Sequence, residues 1–179
     1  VDARQYPSPL SSYRHYNKDL EDESLIRVSN LPKEARVRLG AMDVYDGTTF
    51  GMGITNTADG TAGYRRVGST IPGRSADTAG VQTSVSTSQL LGPWVPTIGQ
   101  VSVLRFEPSA PNAAEQQDGL NYDLWADTAL TTGPTGQLSY SLSTTMPREH
   151  ADSEFASVNA ARYAGGDTNV PKDVDSLAA

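Results

Sequence analysis

The residues able to do chemistry in this chain are few and widely spaced. Its 179 residues include no Cys. Thiolate metal sites, disulfides and cysteine nucleophiles are therefore excluded within it. The two histidines, His15 and His150, stand near opposite ends. Neither has an H-x-x-x-H partner, so a histidine-led zinc site is not expected. Serine is abundant, but no G-x-S-x-G elbow is present, and nothing in the spacing sets a serine beside a histidine. Gly51-Met52-Gly53 lacks the third glycine and the following helix of a phosphate loop. It reads as a bend or bulge in a strand. Carboxylates gather at Asp43 with Asp46, and at Glu107, Glu115, Asp118 and Asp123. Calcium requires six to eight converging oxygens, and no D-x-D-x-D-G run supplies them. The expectation is solvated acidic loops, with no metal and no cofactor.

Four residues remain as binding candidates. Asp43 and Tyr45 lie beside a turn signal, Asp46-Gly47. Trp94 sits in a sharp bend and Trp125 at a strand end, where an indole either packs or offers a stacking surface to a sugar.

The elements that carry these residues follow from periodicity and punctuation. Ala35 to Ile54 reads as a β-hairpin. Asp46-Gly47 favours a two-residue type I′ turn, which sets Tyr45 opposite Thr48, Asp43 opposite Phe50, Ala41 opposite Met52 and Leu39 opposite Ile54. One face then carries Val37, Leu39, Ala41, Phe50, Met52 and Ile54, and the other Arg36, Arg38 and Gly40. Asp43 falls on the apolar face. There it is either at the rim or an acceptor that pins the hairpin to its neighbour.

Further strands are expected at Leu25–Ser29, Tyr64–Val67, Val81–Ser86, Val101–Phe106, Leu120–Leu124 and Leu138–Leu142. Between them lie a bend at Gly92-Pro93-Trp94-Val95-Pro96, an acidic loop from Glu107 to Gly119 and a loop from Asp127 to Gly136. The pattern gives about eight or nine strands of roughly 5 to 10 residues, an all-β, antiparallel β-sandwich. Residues 1–20 read as an extended lead-in, because Pro7 and Pro9 oppose a helix. It holds an aromatic and basic cluster of Tyr6, Tyr13, Arg14, His15 and Tyr16. Residues 21–147 form the β-sandwich domain. Residues 148–179 read as a short C-terminal helical linker, with Phe155, Val158, Asn159 and Arg162 at helical spacing.

The formal charge is −7 and hydrophobic residues make up 37%. That balance opposes non-specific nucleic-acid binding, which needs a basic surface. It favours solubility. No apolar run reaches the roughly 18 residues of a transmembrane helix. The chain opens on Val1, and Val170–Ala179 reads as a helix start cut short. The expectation is a piece of a longer protein.

Several stretches occur in a telling order: YPSPLSSYRHYNKDL, LIRVSNLPKEARVRLGAMDVYDGTTF, YRRVGSTIP, GPWVPTIGQVSVLRF and LNYDLWADTAL. Together they resemble the extracytoplasmic N-terminal region of actinobacterial membrane-anchored transglutaminase-like proteins. The likeness runs from about Gln5 to about Leu142 and is most specific at Val37 to Gly47 and at Trp94-Val95-Pro96-Thr97. One departure is Phe50, where the family pattern leads one to expect Trp after the turn. The resemblance implies a membrane-tethered parent with a papain-like Cys-His-Asp core downstream. No catalytic residue carries over, because no Cys is present. It implies a non-catalytic accessory domain outside the cytoplasm, at the cell surface. Such a domain would position the core or bind a partner, with the downstream transglutaminase-like domain as first partner and a cell-envelope protein or glycan as another. Membrane contact would come only through other parts of the parent. The alternative is a cell-surface glycan- or peptide-binding module using Trp94, Trp125 or exposed tyrosines. A stand-alone hydrolase is the least favoured reading.

Overall fold

In the strand Val81–Ser88, Thr83, Val85 and Thr87 are buried, while Gln82, Ser84 and Ser86 face solvent. This is the alternation expected of a sheet with one face covered. It recurs in Gln137–Thr145, where Leu138, Tyr140, Leu142 and Thr144 point inward. The two strands pair antiparallel over their full common length, with Val85 opposite Tyr140 and Thr83 opposite Leu142. The computed structural model describes residues 1–45, 48, 50–52, 63–74 and 80–147.

Among these residues the strands are β1 (Ile26–Ser29), β2 (Val37–Arg38), β3 (Val44–Tyr45), β4 (Phe50–Gly51), β5 (Arg65–Arg66), β6 (Val81–Ser88), β7 (Trp94–Val95), β8 (Thr97–Ile98), β9 (Gln100–Phe106), β10 (Leu120–Asp123), β11 (Thr128–Thr131) and β12 (Gln137–Thr145). One four-stranded sheet runs β1-β6-β12-β9 and a second runs β5-β10-β11-β7, while β2 pairs with β8 and β3 with β4. All these pairings are antiparallel. The protein is therefore mostly β, as expected, though many strands are shorter than predicted.

The core draws on both larger sheets. Leu104, Phe106, Tyr140 and Leu142 of the first cluster with Val95, Leu120, Tyr122 and Ala129 of the second. Each fully buried large apolar side chain contributes about 1.5–3 kcal/mol. Phe106 and Tyr140 pack ring on ring at 5.5 Å. The Tyr140 hydroxyl, buried among them, donates to the Pro96 carbonyl at 2.6 Å. Gly99, at φ +56°, makes the tight step from β8 to β9, where a Cβ would meet the Thr145 carbonyl oxygen at 2.6 Å.

Four expectations need correcting. First, residues 1–20 are not extended. Ala3–Gln5 and Pro9–Ser12 form 3-10 turns and Tyr13–Lys18 forms a helix, α1. Pro9 opens its turn, where a missing N–H is harmless. Ala3 is buried in a second core cluster with Tyr64, Trp94 and Leu130. Second, the acidic loop contains a helix, α2 (Ala113–Asp118), held from within by buried Gln116, whose Nε2 donates to the carbonyls of Pro134 and Gln137. Third, Thr128–Thr131 is a strand rather than loop. All four of its residues are buried, so no alternation marks it. Its hydroxyls are satisfied locally: Thr128 Oγ1 lies 2.7 Å from the Tyr64 hydroxyl, and Thr131 Oγ1 donates to the Gln116 carbonyl.

The fourth correction concerns the hairpin. Tyr45 pairs with Phe50, and Val44 with Gly51. The register differs by two residues from the expected one, which set Asp43 opposite Phe50. A shift of two leaves each side chain on its face. It brings the Tyr45 and Phe50 rings to 4.7 Å, a favourable cross-strand aromatic pair. The expected apolar face is divided. Val37 pairs with Ile98 and packs on the main core, Leu39 and Met52 pack on the second cluster, and Phe50 is 63% exposed. Asp46-Gly47, Ile54 and the predicted C-terminal helical linker lie outside the described residues. The described α-helices are α1 and α2. None in the described residues is long and apolar enough to cross a membrane.

Candidate functional site

The turn from Asp123 to Thr128, which joins β10 to β11, is the most heavily bonded loop of the described structure. Asp123 Oδ1 accepts from the amides of Trp125 and Ala126 at 2.9 and 3.2 Å, and Oδ2 accepts from the Gly63 amide at 3.2 Å. This is the local turn chemistry that Asp favours. The turn's carbonyls are also bound. Arg74 Nη2 donates to Leu124, Arg38 Nη1 donates to Ala126 and Asp127, and the Thr97 hydroxyl donates to Asp127.

Asp127 ends the turn in the left-handed region, at φ +50°, which Asp tolerates. Its Oδ1 accepts from Arg74 Nη2 at 2.6 Å and from the Tyr122 hydroxyl at 3.1 Å. Burial pushes the Asp127 carboxyl above its usual value, and Arg74, Tyr122 and Arg38 oppose that rise. Burial also raises the Tyr122 hydroxyl, with the Asp127 charge adding to it. Arg74 Nε is buried with no hydrogen-bond partner among the described residues.

This network holds one side chain in solvent. Trp125 is 63% exposed at the crest of the turn, whereas Trp94 is 2% exposed. Trp94 lies in the second core cluster. Its ring is 6.4 Å from that of Tyr64, and its Nε1 donates to the Pro7 carbonyl at 3.3 Å. Trp94 therefore offers no face to a ligand. Asp43 is exposed, just before β3. The Tyr64 hydroxyl is pushed up to about 12, chiefly by burial, with the charges of Asp123 and Asp43 adding to the shift. Tyr45 is exposed and stacked on Phe50. The structure thus separates the four predicted residues: one core indole, one presented indole, and two residues on the short hairpin.

The locking residues Arg38, Arg74, Tyr122, Asp123 and Asp127 were not among those candidates. Asp123, two residues before Trp125 in D-L-W-A-D, carries a turn signal that could have marked the loop. Arg74 carries none, because its partners are about fifty residues away in sequence.

The arrangement positions a surface side chain. It does not pair a nucleophile with a base. His15 Nδ1 lies 2.8 Å from Asp19 Oδ2, one helical turn away and exposed, while His150 lies outside the described residues. No group of three or more potential ligands converges on a metal position among the described residues. Asp118 instead faces Arg66 at 3.6 Å.

No protein family, curated protein or solved structure matches this chain.

Proposed function

We propose that this chain is a non-catalytic, extracytoplasmic accessory module of a transglutaminase-like membrane protein. In this reading Trp125 is the residue with which it meets the catalytic domain that follows. The observation that carries the reading is the exposure of the Trp125 indole on a turn whose backbone is held by hydrogen bonds. Large aromatic side chains anchor binding surfaces, and a preordered one loses little freedom on docking. A turn bonded at the amides of Trp125 and Ala126 and the carbonyls of Leu124, Ala126 and Asp127 is preordered. The parent, the side of the membrane and the partner come from the sequence resemblance. The fold proposed for the module is a β-sandwich, supported by the main core cluster, to which both four-stranded sheets contribute.

Titration of the separately produced downstream domain into this chain tests the reading. Saturable binding is expected, weakened about tenfold or more by Trp125→Ala with no change in the urea midpoint. The exposed indole also suits a glycan-binding module. Co-sedimentation with peptidoglycan sacculi, lost in Trp125→Ala, without binding to the downstream domain would replace the accessory reading with that one. Binding to neither would overturn both.

A further inference from the structure

The N-terminal segment forms one wall of a groove, and several contacts fasten it to the body, among them Val1 donating to the Tyr64 carbonyl and the Ser8 hydroxyl donating to Met42 Sδ. Trp94 Nε1 donates to the Pro7 carbonyl, and the Leu91 amide donates to the Tyr16 hydroxyl at 2.8 Å. Pro9 lies so close to Gly40 that a Cβ there would meet Pro9 Cγ at 3.0 Å. Ile26 and the chain from Arg36 to Met42 form the other wall. Between the walls lies an open groove of ≈ 540 Å³. Small-ligand sites span roughly 300–1,000 Å³.

The lining is one-sided in its chemistry. Ile26, Val37, Leu39 and Met42 make it apolar. On its rim Leu10 is 62% and Tyr13 64% exposed, an uncommon pairing for large side chains. Two arginines and, among the described residues, no carboxylate line it, in a chain with 21 Asp+Glu against 14 Lys+Arg. Arg38 is engaged by the carbonyls of Ala126 and Asp127. Arg36 is exposed and makes no hydrogen bond or ion pair among the described residues. A fixed apolar trench with an unengaged guanidinium complements a ligand with a long apolar body and one negative end.

We propose that this groove binds a single-chain anionic amphiphile, its acyl chain along Val37, Leu39 and Met42 and its head group on Arg36. One arginine suits one carboxylate. A bilayer surface is read by clusters of about 4–8 basic residues, and a protein partner covers on the order of 800 Å² per side. The proposal is independent of the role given to Trp125.

Titration of this chain with tetradecanoate, below its micelle concentration, is the test. Saturation at one molecule per chain is expected, with a shift of the Met42 signal in methyl-labelled protein and none at Met146. Arg36→Glu and Leu10→Asp each weaken binding about tenfold or more and leave the urea midpoint unchanged, since both residues are exposed. The tetradecyltrimethylammonium cation binds about tenfold more weakly than tetradecanoate. Absence of saturable binding, equal affinity for the cation, or unchanged affinity in Arg36→Glu overturns the proposal. So does failure to bind tetradecanoate together with Leu10-dependent co-sedimentation on phosphatidylglycerol vesicles, which assigns the groove to a membrane. Failure to bind it together with Leu10-dependent dimerisation assigns the groove to a second copy and overturns the proposal equally.

Discussion

Arg74 Nη2 lies 2.6 Å from Asp127 Oδ1 and 2.9 Å from the Leu124 carbonyl. One guanidinium thus ties the residue before Trp125 to the carboxylate two residues after it. The turn that carries the exposed indole is tied by a residue outside its own hairpin.

Arg74→Leu removes both bonds and leaves a largely buried carboxylate without its cation. The expected loss is about 1.5–3 kcal/mol of stability, the range for hydrogen bonds to charged groups. Arg74→Lys keeps the charge on a shorter side chain and falls between. Urea unfolding followed by circular dichroism measures both. Wild-type midpoints in both variants would show that the turn does not depend on Arg74.

The pH dependence of Asp127 has a definite sign. Its folded-state carboxyl sits above the usual value because burial outweighs its cationic and phenolic neighbours. The folded chain therefore holds that proton more tightly than the unfolded one. The resulting contribution to stability is complete below the unfolded carboxyl value of about 3.9 and is lost as pH rises through the folded value. Relative to Asp127→Asn, the wild type should be more favoured at acid pH than at neutral pH. The opposite slope would contradict the placement of Asp127.

At alkaline pH the tyrosines govern. Tyr64 is pushed up to about 12, and Tyr122 and Tyr140 are raised as well. Each favours folding fully below the unfolded tyrosine value of about 10 and loses that contribution as pH rises through its folded value. Tyrosinate absorbance should therefore appear in two stages. Exposed tyrosines titrate first, and these three ionise only together with loss of structure.

The two tryptophans should respond oppositely to truncation. Trp94→Ala opens a cavity beneath the N-terminal segment and removes the bond to Pro7, for an expected loss of about 3–5 kcal/mol. Trp125→Ala touches an exposed ring and should change stability by less than about 0.5 kcal/mol. Equal effects in urea unfolding would contradict the assignment of one indole to the core and the other to the surface.

The hairpin register can be read by cross-linking, since the chain has no native Cys. Tyr45→Cys with Phe50→Cys should oxidise to a disulfide readily, because these residues are directly opposed. Asp43→Cys with Phe50→Cys, the pair expected from a two-residue turn, should not. Efficient closure of the second pair alone would restore that register.

Two of the strands that announce themselves in the sequence do so through one wet face. β6 and β12 alternate and are legible at Val81–Ser86 and Leu138–Leu142, within the observed Val81–Ser88 and Gln137–Thr145. β11 is hidden because both faces are covered, so Thr128-Ala-Leu-Thr carries no period and sits among turn signals. The hairpin is legible in the sequence, but its register, in which Tyr45 opposes Phe50, lies two residues from the one turn chemistry alone predicts. Of the candidate residues, Trp94 and Trp125 look alike in sequence. What separates them is tertiary: the N-terminal segment covers Trp94, and side chains from β2, the Arg74 loop and β10 hold the turn that carries Trp125.

The proposal that Trp125 contacts a downstream transglutaminase-like domain is checked by photo-cross-linking in the proposed full-length parent, with benzoylphenylalanine at position 125. An intramolecular adduct is expected, mapped by mass spectrometry to that domain, and none from the same label at exposed Leu31. Labelling only of solvent or of unrelated proteins from position 125, with the domain folded and present, would contradict it.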